Sequence, residues 1–131
     1  SMELVVYGQL PLMTLEYCPV SLISECKDCS YQRVYGLKDD KGFIFPIICR
    51  QHKVQLLNSH VLFVAEDMGK IASIGVRRMR LDFYRENSKD VKEIISLYRN
   101  HKNLDRCSHH EIIEKIKKTG HTKGHYFRGV D

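Results

Sequence analysis

The sequence predicts an α/β fold built on a parallel sheet, with a cysteine-rich loop region set into it. Three observations carry that expectation. From residue 60 onward, strand-patterned runs alternate with helix-patterned runs, the signature of β–α–β crossovers. Before that point, residues 16–50 are irregular and hold Cys18, Cys26, Cys29 and Cys49. The chain of 131 residues is 43% hydrophobic and 28% charged, enough for one domain with a packed core and too apolar for disorder.

Taken in order, the chain opens on a β-type run, Leu4 to Tyr7, and Pro11 is expected to end regular pairing. A start on a buried-type strand, with Ser1 ahead of Met2 as from tag removal, reads as the C-terminal part of a longer protein. Residues 16–50 carry Pro19, Asp28, Gly36 and the turn sequence KDDKG at 38–42. They read as a loop with little apolar surface to bury, which needs something to hold it. Val61 to Ala65 is a continuous apolar run, as in a strand covered on both faces. Met68, Ile71 and Ala72 follow helical spacing, and Gly75 supplies a stop.

Met79, Leu81 and Phe83 then alternate with Arg78, Arg80, Asp82 and Tyr84, giving a strand with one apolar and one polar face. On that polar face, Arg80 and Asp82 would either line the mouth of a site or form an ordinary surface ion pair. Ser88 is the expected N-cap of a helix whose stripe is Val91, Ile94, Ile95 and Tyr98. Ser108 and Glu111 form a capping box ahead of Ile112, Ile113 and Ile116, and Gly120 closes that last helix.

No apolar run is long enough to span a membrane, and no basic region with an apolar stretch and cleavage site opens the chain. The expectation is a cytoplasmic protein without membrane contact. The net charge of +5 is compatible with an anionic partner such as RNA without requiring one.

Five cysteines with no export signal argue against disulfide stapling. Thiolates are soft ligands that suit zinc or iron–sulfur clusters, and four complete either site. Cys26-x-x-Cys29 is the tight pair. Cys18 and Cys49 stand at opposite ends of the irregular region, so a metal held by all four would tie that loop shut. Three other readings stay open: a redox Cys-x-x-Cys, a nucleophilic cysteine with one of the seven histidines, and thiols that merely fill a core, Cys49 above all. Cys107, before a helix cap, reads as a non-ligand. The tail, TGHTKGHYFRGVD, combines glycines with His125 and Arg128, which offer donors to an anion; the alternative is a helix cap followed by a docking tail.

The motifs VYGQLPLM, EYCPV, Cys-x-x-Cys, LKDDKGFIFPI, CRQ, LLNS, RLDF and TKGHYFRGV occur in that order over nearly the whole chain. As an ordered set they resemble the C-terminal portion of the bacterial collagenase-like peptidase family, the peptidases of unknown catalytic type. Where that family usually has Asp-Arg-Lys-Gly, this chain has Asp39-Asp40-Lys41-Gly42. The resemblance implies the last strands and helices of a (β/α) barrel, a partial barrel completed by an N-terminal portion of the same protein. It implies a formal peptidase label. It also implies, for the branches that hydroxylate tRNA, ribosomal RNA or the ubiquinone ring with prephenate as a suggested partner, a four-iron four-sulfur cluster on Cys18, Cys26, Cys29 and Cys49, with zinc as the occupant in protein prepared in air. The family's Gly-(Ser/Ala)-Leu-Cys segment is absent, so this stretch alone is expected to be inactive.

The reading is therefore an iron–sulfur-dependent RNA-modification protein, with Arg50, Arg80 and Arg128 as anion contacts and His125 beside them. A metal-free cysteine protease and a non-enzymatic metal-stapled interaction module are the rivals. Unpaired strand edges predict a homo-oligomer for the fragment.

Overall fold

The computed structural model describes residues 2–19, 35–50, 53–102 and 109–124. The chain divides into two units, residues 1–9 with 60–131, and residues 10–59.

The first unit is a four-stranded sheet, in the order β7-β1-β6-β8, with three helices. Its strands are β1 (Glu3–Gly8), β6 (Val61–Phe63), β7 (Arg78–Leu81) and β8 (His121–Thr122). Its helices are α1 (Met68–Ser73), entered through a 3-10 turn at Ala65–Asp67, α2 (Ser88–Arg99) and α3 (His110–Thr119). The α/β content stands as expected, but the sheet is mixed rather than parallel. β1 runs parallel to β7 and antiparallel to β6, and β6 runs parallel to β8. Because β1 lies between them, β6 and β7 point in opposite directions and α1 does not join parallel neighbours of its own. The parallel crossover runs from β1 to β7, with β6 and α1 inside the connection. No closed barrel is formed among the described residues.

Strand patterning explains the core. Val6, Leu62, Phe63 and Val64 are buried, as a run covered on both faces requires, and Ile94, Leu97, Tyr98, Ile112 and Ile116 are the buried positions of α2 and α3. In β7, Met79 and Leu81 are half-buried while Arg78 and Arg80 are exposed, the alternation read from the sequence. Two backbone details hold these parts in register. The Tyr98 hydroxyl, on α2, donates to the Val6 carbonyl at 2.5 Å and accepts from the Val64 amide at 3.1 Å. One phenol thus joins the helix to both β1 and the end of β6. At the end of β1, Gly8 has φ +134°, and a Cβ there would sit 2.5 Å from the Asp82 carbonyl oxygen, so the close approach of the chain after β7 requires glycine. The cap of α2 is Asn87, whose side chain accepts from the Asp90 amide at 2.8 Å; Ser88 is the first helical residue. Gly120 ends α3 as expected, while Ser108 of the predicted capping box lies outside the described residues.

The second unit is an antiparallel sheet, in the order β2-β5-β4-β3. Its strands are β2 (Pro11–Leu15), β3 (Tyr35–Lys38), β4 (Ile44–Arg50) and β5 (Lys53–Leu57). It overturns two expectations. Pro11 opens β2 instead of ending pairing, a position where its missing N–H is tolerated. Residues 35–50, read as loop, form the β3–β4 hairpin around the Asp39–Gly42 turn, where the Asp39 carboxylate accepts from the Phe43 amide at 2.8 Å. Pro46 sits within β4, a central strand, opposite Gly36 of β3, while the ladder to β5 begins one residue later, at Ile47↔Leu56.

Candidate functional site

Register places the candidate ligands. In antiparallel pairs, residues directly opposite share a face, and every second residue along a strand returns to it. Tyr35, Ile47, Leu56 and Met13 form one row across the second sheet; Cys49, Val54 and Leu15 form the next row on the same face. Leu37 and Phe45 extend that face on the other side. Every residue of the face is apolar, aromatic or Cys49. Val54 is 1% exposed and Ile47 is 6% exposed, while the Cys49 thiol is half-buried. An apolar face of this kind disfavours a bare thiolate charge, which a neutral core thiol and a metal-bound thiolate both avoid.

The ends of the strands matter more than the face. β2 finishes at Leu15 and β3 begins at Tyr35, and the register sets both beside the Cys49 end of β4 and the Lys53 end of β5. The connection 16–34 therefore leaves and re-enters the sheet at one end, from one edge strand to the other. Two strand spacings, about 10 Å, separate Leu15 from Cys49. Three residues span up to about 10 Å, so Cys18, itself half-buried, has the reach to meet Cys49. The stretch from residue 29 to residue 35 reaches up to about 20 Å, more than the roughly 14 Å between the two edge strands. Cys26 and Cys29 lie outside the described residues, as do Cys107, His125 and Arg128 and the side chain of Arg50. Among the described residues, no group of three or more His, Cys, Asp and Glu stands together as a metal site.

By residue type, the four cysteines would suit a cluster. Four thiolates are the complete ligand set of a cubane iron–sulfur centre, and the connection that carries three of them is anchored at both ends beside the fourth. Arg50 shares that sheet end by its backbone register, Arg50↔Lys53. Lys53, which is exposed, escaped the sequence reading; the signal was RQHK between two apolar runs, a hairpin tip with a cation on each flank.

Arg80 belongs to the first unit. Its guanidinium meets Glu3 at 3.2 Å and Asp82 at 3.1 Å, and the hydrogen bond and charge of Asp82 hold its pKa above the ordinary value. Both carboxylates come from the strand pair β1–β7 and the residue after it, so the surface ion pair foreseen from the alternation is present. Nearby in chain order, Tyr7 donates to Glu86 at 2.7 Å, and the other Glu86 oxygen accepts from the Tyr84 and Arg85 amides at 2.8 and 3.1 Å. Burial, then the Glu86 hydrogen bond, pushes the Tyr7 phenol far above its usual pKa. That arrangement fixes the loop after β7 and leaves Glu86 fully engaged.

No protein family, curated protein or solved structure compared with the chain matches it.

Proposed function

We propose that this chain is the C-terminal portion of a collagenase-like peptidase family protein of the RNA-modifying kind, cytoplasmic, with a four-iron four-sulfur cluster on Cys18, Cys26, Cys29 and Cys49. The observation that carries the reading is topological. The antiparallel sheet brings both ends of the 16–34 connection to the strand end that bears Cys49. Four soft ligands on one anchored connection and one adjacent strand are what a cubane cluster requires. The β1–β7 and β6–β8 pairs are parallel, as in a (β/α) barrel, while the β1–β6 pair between them is antiparallel and is not a barrel feature. The rest of such a barrel would come from a preceding portion of the same protein.

Bound, the cluster supplies one-electron chemistry or a Lewis-acidic iron. The chain's part is to present four deprotonated thiolates, to release their protons on loading, and to surround Cys49 with Val54, Leu15 and Ile47, which exclude water from that side. The test is the visible spectrum of anaerobically prepared protein, with elemental analysis of protein prepared in air. Broad sulfur-to-iron absorption in the first and zinc in the second are expected. Colourless, metal-free protein from both preparations would contradict the proposal.

A further inference from the structure

The two units differ in how much apolar surface they bury. In the first, every helix feeds the core: Met68 and Ile71 from α1, Ile94 and Leu97 from α2, Ile112 and Ile116 from α3. Its exposed large apolar side chains are Met2 and Ile74. In the second, Ile47, Val54 and Leu57 are the buried apolar side chains among the described residues, together with Pro46. Leu12, Met13, Tyr17, Leu37, Phe43 and Ile44 are exposed there. A sheet with so small a core has little to set against the entropy of ordering its backbone.

Each unit also closes its own strand pair. In the second, Pro11 pairs with Leu57, and the Asn58 amide donates to the Leu10 carbonyl at 2.8 Å. In the first, β1 and β6 pair through Gly8↔Leu62 and Tyr7↔Phe63. Opening the second sheet would therefore leave the β1–β6 ladder intact and place a longer loop between those strands, at an entropic cost that grows slowly with length. The thiols fall on one side of this division. Cys18, Cys26, Cys29 and Cys49 all belong to the second unit and Cys107 to the first.

We infer that the second sheet is conditionally ordered: without metal, β2, β3, β4 and β5 open together while the first unit stays folded, and a soft cation on the thiolates closes them. Weakly buried elements occupy the low end of local stability, which accounts for separate opening. A cation that binds only the closed form stabilises it by mass action, and the thiols give up their protons as they ligate. The closing step rests on the ligand set proposed above. The separate opening rests on burial and strand pairing alone. The sheet end at Cys49 is then present only in the loaded protein.

The test is peptide-resolved hydrogen–deuterium exchange of the full chain, reduced and treated with chelator, then with Zn²⁺ added as the probe. In the chelated protein the amides of β4 and β5 should exchange at least about tenfold faster than those of β1, β6 and α2. Zinc at about a hundred times its Kd should slow β4 and β5 by up to about a hundredfold and leave β1 and α2 unchanged. Cys26→Ser/Cys29→Ser should abolish the slowing, and Cys107→Ser should keep it. Protection of α2, read in the same run, shows that each variant is folded.

Equal exchange of the two units in the chelated protein would overturn the inference, and so would zinc that slows both alike. Bound zinc is measured on the same samples. Zinc bound with β4 and β5 unchanged overturns the inference and leaves the cysteines as ligands. No zinc bound to the wild type overturns the closing step and the ligand set with it.

Discussion

Removing the Tyr98 hydroxyl is the sharpest probe of the first unit. Tyr98→Phe keeps the ring, its edge contacts with Tyr7 and Phe63 at centroid distances of 6.3 and 6.2 Å, and its buried volume. What disappears is one oxygen that accepts from the Val64 amide and donates to the Val6 carbonyl. Val6 and Val64 are 0% and 1% exposed, so neither backbone group can turn to water. An orphaned buried polar group costs about 1–3 kcal/mol, and two are left, so the unit should lose about 2–6 kcal/mol. Tyr7→Phe is the internal comparison. It removes one bond to Glu86, whose other oxygen keeps two amide donors, and should cost about 1 kcal/mol. Urea unfolding followed by circular dichroism gives the ranking, and hydrogen exchange gives the location. The Val64 amide should lose protection by thirtyfold or more, since 1.4 kcal/mol is about tenfold. A Tyr98→Phe cost below that of Tyr7→Phe, or an unchanged Val64 amide, would refute the two-strand clasp.

Four further outcomes follow from the same geometry. Both buried phenols have raised pKa values, chiefly through burial, so their contribution is full below the unfolded-state pKa of about 10 and is lost as pH rises above it. Stability measured by urea titration should fall above pH 10 by up to about 2.7 kcal/mol per pH unit, and by half that in either Phe variant. Gly8→Ala forces a Cβ to 2.5 Å from the Asp82 carbonyl at a positive φ and should cost about 3 kcal/mol in thermal or urea unfolding. If the proposed barrel reading holds, a site at the barrel mouth would need further strands, and the chain alone should show no turnover on gelatin or collagen; cleavage abolished by Cys18→Ala would favour the protease rival. Light scattering during size exclusion should give a dimer or larger, as expected of a chain with strand edges to pair, and a cooperatively unfolding monomer would contradict that.

The first unit was largely legible from the text. β1, β6, α1, β7 and α2 fall on Leu4–Tyr7, Val61–Ala65, Met68–Ala72, Met79–Phe83 and the stripe around Ile94, because their partners bury one continuous face or run and the period shows through. Strand direction was not legible. β6 and β7 follow one another with a helix between, yet β1, from far earlier in the chain, lies between them, and no local pattern encodes that insertion.

The second sheet was missed for different reasons. Pro11 and Pro46 argue against strands unless the ladder positions are known, and KVQLL is too short for its alternation to stand out. The cysteines were legible as a group by type and clustering. That Cys49 shares a sheet end with the connection bearing the other three is a matter of register alone, as is the meeting of Arg50 with Lys53.

Four thiols acting as one ligand set are the central feature of the proposed site. Its most direct test is the iron and acid-labile sulfide content of anaerobically reconstituted protein, wild type beside the Ala variants of Cys18, Cys26, Cys29, Cys49 and Cys107. The account predicts about four irons and four sulfides per chain in the wild type and in Cys107→Ala, with loss in each of the other four variants. Full metal content in Cys26→Ala or Cys49→Ala, or loss confined to Cys107→Ala, would contradict it.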